Sequence, residues 1–162
     1  MRENPFHKLF YDQLSITERL QQGIFFTGPH IVDSILSQID INTVNTVVDT
    51  CAGAGDFLIP LAKQFPDKHF YGVEKNPLIC STIQQFIADT GLSNIHYFQG
   101  DILLDNFPIP HCDLYLGNPP FLHHTVLAED YRQQLIPLWQ HYFPTPKGFE
   151  LLLGSSRSDI AQ

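Results

Sequence analysis

Positive charge is scarce in this chain. Nine lysines and arginines stand against seventeen aspartates and glutamates, a formal net charge of −8 over 162 residues. A surface that grips a phosphate backbone neutralises it with Lys and Arg, so these residues alone are not expected to hold a nucleic acid. Cysteine is thin as well. Cys51, Cys80 and Cys112 are odd in number and form no CxxC pair, which argues against a disulfide framework or a zinc site. They read as reduced, buried, small apolar residues. The histidines include His123-His124 but no HExxH, and no metal is expected. No apolar run approaches the roughly 20 residues of a membrane span. Met1-Arg2-Glu3-Asn4-Pro5 also lacks the basic start and apolar core of a signal peptide, so the expected location is cytoplasmic. Repeats, low-complexity tracts and like-charge blocks are absent too, and with 43% hydrophobic residues the chain is long enough for one globular unit with a real core.

What is present is an alternation. Phe6, Leu9, Phe10, Leu14, Ile16 and Leu20 fall near helical spacing and predict one amphipathic helix closed by Gly23. Pro29 sits where a first helical residue belongs and opens a helix from His30 to Ile39. Strands are predicted at about Val44 to Asp49, His69 to Val73, Ile95 to Phe98 and Cys112 to Leu116. Helices at Phe57 to Gln64 and Leu78 to Thr90 fill the first two gaps. Such alternation implies βαβ units and a parallel sheet. The gap from Gly100 to His111 carries Pro108 and Pro110 and reads as loop. Residues His123 through Phe143 read as helix and loop, and Ser155 onward as a cap before a further helix.

In open α/β sheets ligands bind beyond the carboxyl ends of the strands, and all four ends here are chemically pointed. The first is Asp49-Thr50-Cys51-Ala52-Gly53-Ala54-Gly55-Asp56, whose glycines either make a plain turn or let the backbone approach a ligand at a helix N-terminus. A dinucleotide fingerprint needs a third glycine at position 58, which is Leu58, so the loop suits a smaller zwitterionic group. The second strand ends on Glu74, about twenty residues later, where an acidic side chain conventionally accepts from ribose hydroxyls. After the third comes Asp101, either a turn-capping aspartate or an acceptor for an adenine amino group.

The fourth end is Asp113-Leu-Tyr-Leu-Gly-Asn118-Pro119-Pro120-Phe121. Two prolines remove two backbone donors and leave the Asn118 side-chain oxygen and the Pro119 carbonyl as acceptors. The same residues also terminate a strand well. Read chemically, they form a clamp for the two protons of an exocyclic NH2, with Phe121 placed to stack on the ring that bears it.

Together these residues resemble the S-adenosylmethionine-dependent N6-adenine DNA methyltransferases of the gamma arrangement, over about Gly23 to Phe121. The resemblance implies a Rossmann-like class I methyltransferase fold, α/β with a mostly parallel sheet and flanking helices. It implies that Asp49, Cys51, Gly53 and Gly55 hold the methionine part of the cofactor, Glu74 the ribose, and Asp101 with Ile102 the adenine. Asn118, Pro119, Pro120 and Phe121 match the catalytic tetrapeptide, in which a flipped adenine places N6 between the asparagine oxygen and a proline carbonyl. Phe25-Phe26-Thr27-Gly28-Pro29 resembles the aromatic-Thr-Pro turn before the first strand, with Gly28 inserted, and makes Phe26 and Thr27 cofactor contacts. The expected organisation is an N-terminal helical segment, 1–23, and a partial methyltransferase domain, 24–162. The remaining strands and a target-recognition domain, which carries most of the grip on double-stranded DNA, are expected outside this chain, in line with the net charge. The clamp also suits a protein-glutamine or RNA methyltransferase, and a truncated domain could be a non-catalytic cofactor-binding remnant.

Overall fold

The computed structural model describes residues 4–120 and 127–142. The chain opens on Asn4, whose side chain accepts the Phe6 N–H, with Pro5 at the start of helix α1 (Pro5–Gln13). The single helix expected from Phe6 to Leu20 is in fact two. Leu14 turns extended, and Ser15 caps α2 (Ile16–Gln22) in a reciprocal pair with Glu18. Such a capping box satisfies two orphan donors at once, which continuous apolar spacing cannot do. Gly23 then closes α2 at φ 65°. Pro29 begins α3 (Pro29–Leu36), which stops three residues short of the expected Ile39.

After a 3-10 turn at Ile41–Thr43 the sheet begins. Its elements are β1 (Thr46–Asp49), α4 (Leu58–Gln64), β2 (His69–Glu74), α5 (Pro77–Thr90), β3 (Ile95–Gln99) and β4 (Leu114–Tyr115), followed by α6 (Glu129–Tyr142). The four strands are all parallel in the order β3-β2-β1-β4, as the alternation implies. Both outer predictions shorten: β1 starts at Thr46 rather than Val44, and β4 keeps two residues of the expected five. The ladder still runs past β4, because Asp113 N donates to Thr46 O at 3.0 Å and Leu116 N to Val48 O at 2.9 Å. The Asp113 carboxylate also accepts the Asn45 and Thr46 N–H groups, each at 2.9 Å, and so ties the start of β4 to β1. Residues 100–111 hold neither helix nor strand, as Pro108 and Pro110 suggest.

Val47, Phe70, Ile95 and Tyr97 supply the sheet's side of the core. Leu58, Leu61 and Ala62 of α4 and Ile79, Cys80 and Ile83 of α5 cover it, and Phe10 of α1 and Val32 of α3 join the same cluster. All three cysteines are free; Cys80 is buried as expected, but Cys51 and Cys112 are only half-buried. Both lie at the strand termini rather than within the packed layers. No helix among the described residues is long and apolar enough to cross a membrane. The segment from 143 onward, including the cap expected at Ser155, lies outside the described residues.

Candidate active site

The strand order reverses between β1 and β4: the chain builds outward from β1 to β2 and β3, then returns to β1's other side. At such a switch point the loops leaving adjacent strands diverge and open a crevice. Here one wall is the loop after Asp49 and the other the loop after Leu116. The sequence therefore delivers its glycine loop and its Asn-Pro-Pro loop to one place.

The glycine loop is fixed from three sides. Ala52 N donates to Val73 O at 2.9 Å, Gly53 N to the Glu74 carboxylate at 2.9 Å, and the buried Tyr97 hydroxyl donates to Ala52 O at 2.9 Å. Gly53 and Gly55 take φ of 51° and 74°, conformations that a side chain would strain. Asp49 lies beneath them, 2% exposed, its Oδ1 accepting the Cys51 N–H at 3.0 Å. Burial pushes its carboxyl up to about 7, against the pull of that N–H and with added repulsion from Glu74 and Asp56. Burial likewise raises the Cys51 thiol to about 11, so it stays protonated.

Glu74 closes β2, buried, with one oxygen on Gly53 N and the other on Asn76 N at 2.6 Å. Burial raises its carboxyl and the backbone donors oppose the rise. Lys75 N also donates to this carboxylate, so of its roughly four acceptor sites about one stays open to a hydroxyl. Asp101 follows β3. Its Oδ1 accepts Leu103 N at 2.9 Å, while Oδ2 meets Lys75 Nζ at 2.8 Å and the Tyr131 hydroxyl at 2.7 Å. Burial raises the Asp101 carboxyl, but those partners outweigh it and hold the group below its ordinary value. Lys75 Nζ also lies 3.7 Å from the Tyr131 ring centre. Among the described residues no acceptor meets the Ile102 N–H.

The clamp loop stands opposite. Asn118, Pro119 and Pro120 are exposed at its rim, and Phe121 lies outside the described residues. Asn118 Nδ2 donates to Thr27 Oγ1 at 3.4 Å. Phe26 reaches the glycine loop from the same turn, since a Cβ on Gly53 would lie 3.8 Å from its ring. One residue before Asn118, Gly117 presses on Asp49 so closely that any Cβ there would collide with Oδ1.

The structure joins Phe26 to Gly53, Gly53 to Glu74, Cys51 and Gly117 to Asp49, and Thr27 to Asn118, while Gly55 faces Ile59 and Tyr97, Asp101 is held by Lys75 and Tyr131, and no hydrogen bond among the described residues ties Ile102 to the rest. It adds residues that sequence patterning did not single out. Tyr97 bolts the loop from below, Asp56 joins the loop to the Phe26-Thr27 turn, and Lys75 with Tyr131 covers Asp101. None of these has a local sequence signal, because each contact joins distant segments.

This donor set fits S-adenosylmethionine and disfavours a dinucleotide. Asp49 has a nearly buried Oδ2 that no donor among the described residues reaches, an acceptor suited to a cationic group. Asp49, Glu74 and Asp101 would repel a pyrophosphate. Among the described residues, no group of three or more His, Cys, Asp or Glu side chains is arranged to hold a metal ion.

A family model described as a putative methyltransferase matches residues 43–112. An uncharacterized protein of Mycoplasma pneumoniae is 30% identical over 119 residues, 71% of this chain and 25% of its own length. The type II methyltransferase M.CvrRI of a Paramecium bursaria Chlorella virus is 30% identical over 116 residues, 69% of this chain and 28% of its own. Shorter stretches match ribosomal and transfer RNA methyltransferases. The chain spans about a quarter of the length of the first curated relatives it matches. Among solved structures, the StiE O-MT superposes with a TM-score of 0.51 at 23% identity, covering 70% of this chain and 40% of that one. The fold is that of the Rossmann-like class I methyltransferases, present here in part.

Proposed function

We propose that this chain is the cofactor-binding and amine-clamp part of an S-adenosylmethionine-dependent methyltransferase acting on adenine N6 in DNA. The observation that carries the reading is the position of Asn118. Its amide stands across the switch-point crevice from an acidic glycine-loop cradle, with Gly117 touching Asp49. The match to a type II methyltransferase supports DNA as the substrate.

When bound, S-adenosylmethionine supplies a methyl group on a sulfonium that leaves readily. The chain supplies position and charge. Asp49 in its ionised form attracts the cationic end, Glu74 accepts from ribose hydroxyls, and Asp101 with the Ile102 N–H reads the adenine edge. The Asn118 Oδ1 and the Pro119 carbonyl accept hydrogen bonds from the two N–H groups of the substrate amine, and the proton that the nitrogen sheds once the N–C bond has formed and the S–C bond has broken passes to solvent. Those hydrogen bonds favour a more tetrahedral nitrogen with its lone pair free, and no titrating base is needed. The two prolines offer no competing N–H.

RNA is the second reading, favoured by the matches to RNA methyltransferases. A labelled-methyl assay of the full-length protein on DNA, RNA and protein substrates separates the two, and transfer to RNA alone would replace DNA in this proposal. In the same assay Asn118→Ala is expected to bind cofactor normally and to lose about 100- to 1,000-fold in kcat, by analogy with loss of an oxyanion-hole donor. Full activity of that variant would remove Asn118 from the mechanism.

A further inference from the structure

An asparagine amide has two ends of nearly equal shape and opposite hydrogen-bonding character. A clamp that accepts from a substrate amine works only when the oxygen faces the substrate. With the NH2 outward, donors would meet donors. The amide must therefore be anchored, and although a hydroxyl can meet either end, in this structure Thr27 Oγ1 accepts from Asn118 Nδ2 at 3.4 Å, which leaves Oδ1 for the substrate.

Thr27 is unusually well placed for this. It is 8% exposed, between the end of α2 and the start of α3. Its N–H donates to Asp56 Oδ2 at 3.0 Å. The other oxygen of Asp56 is held by Asn4 Nδ2 and faces His7 Nε2, both at 2.7 Å, and Asn4 also donates to Ala54 O at 3.0 Å. The His7 ring stacks on Phe26, 4.8 Å between centres and 12° from parallel. Residues of the first helix, the aromatic turn and the glycine loop therefore converge to fix the Thr27 backbone. Among the described residues, its hydroxyl is the group of that assembly that hydrogen-bonds the clamp.

We propose that Thr27 is a positioning residue for the amine clamp: it engages the nitrogen of Asn118 so that Oδ1 faces the substrate. This rests on the methyltransferase reading above and changes the expected role of Thr27 from cofactor contact to orienter of the clamp. The bond is long, so its contribution is modest.

The test uses Thr27→Val, which keeps the shape and the backbone N–H to Asp56 but removes the acceptor, with Thr27→Ser as rescue and Thr27→Ala as a second acceptor-less variant should valine not fold. In the 15N-labelled 162-residue chain, the Asn118 side-chain NH2 is identified by its loss in Asn118→Ala. Its hydrogens are expected to exchange about two- to fivefold more slowly in the wild type and Thr27→Ser than in Thr27→Val, the protection that a weak neutral hydrogen bond gives. In the full-length protein, Thr27→Val is expected to lower kcat about two- to fivefold with the cofactor Kd unchanged, the equivalent of a weak neutral hydrogen bond. Unchanged NH2 exchange in Thr27→Val overturns the proposal. So does weakened cofactor binding without any change in the Asn118 signal, which would return Thr27 to the cofactor. If the wild type methylates none of the substrates, the methyltransferase reading fails, and the exchange measurement still decides whether Thr27 orients Asn118.

Discussion

Replacing Asp49 by asparagine should stabilise the ligand-free chain while abolishing its affinity for a cationic cofactor. Asp49 is 2% exposed, and burial lifts its carboxyl from the ordinary 3.8 to about 7. In the folded state the proton is therefore held more tightly than in the unfolded chain. The stability this confers is fully present below about pH 4 and is lost as the pH climbs through 7, where the buried group must ionise. Three pKa units at about 1.36 kcal/mol each place the penalty on the order of 4 kcal/mol at alkaline pH. The substituted amide would never ionise, and its oxygen can still accept the Cys51 N–H. Thermal melts of both proteins from pH 4 to 8.5 should coincide at the acid end and separate steadily through neutrality. At 2–4 °C per kcal/mol, the gap at the alkaline end should be on the order of 8–16 °C in favour of the variant. Calorimetric titration of the variant with S-adenosylmethionine should show no binding. In the wild type affinity should weaken up to about tenfold for each pH unit below 7, because the cation requires the ionised form. A gap that does not change with pH, or a variant that melts lower at pH 8.5, would refute the electrostatic reasoning.

Two other outcomes follow from the same crevice. Gly117→Ala should cost about 1–3 kcal/mol through collision with the Asp49 carboxylate. In an Asp49→Ala background that cost should vanish, which denaturant unfolding of the double-mutant cycle would show. Tyr131→Phe frees one of the two donors on Asp101 Oδ2, so cofactor Kd by calorimetry should fall about two- to tenfold if an adenine amino group competes for that oxygen; a higher Kd would mean that the hydroxyl serves the bound state.

The strand ends were legible because each is marked by residues that a plain strand does not need. Asp49 and Glu74 each close a strand and Asp101 stands two residues beyond one, and the helices placed between the first three strands imply their parallel pairing. The break in the first helix is harder to see because the apolar period runs on through Leu14 and Ile16, while the Ser15-to-Glu18 capping box that interrupts it is a short signal within that pattern. The expected ends of β1 and β4 lie past the regular strands although single backbone bonds continue there, Asp113 N to Thr46 O and Leu116 N to Val48 O, because apolar residues such as Val44 and Leu116 extend the pattern beyond the regular ladder. The contacts of Asp56, Tyr97 and Tyr131 were beyond reach for a different reason. Each depends on an approach between residues 29 to 45 positions apart that only the closed sheet creates.

The contact between Gly117 and Asp49 gives the two half-sites a common wall. A charge arriving at Asp49 is felt one residue from the clamp, without a moving lid or a hinge. A substitution at either residue is therefore expected to disturb the other's loop: a change at Asp49 shifts the backbone that carries Asn118, and a change at Gly117 shifts the Asp49 carboxylate.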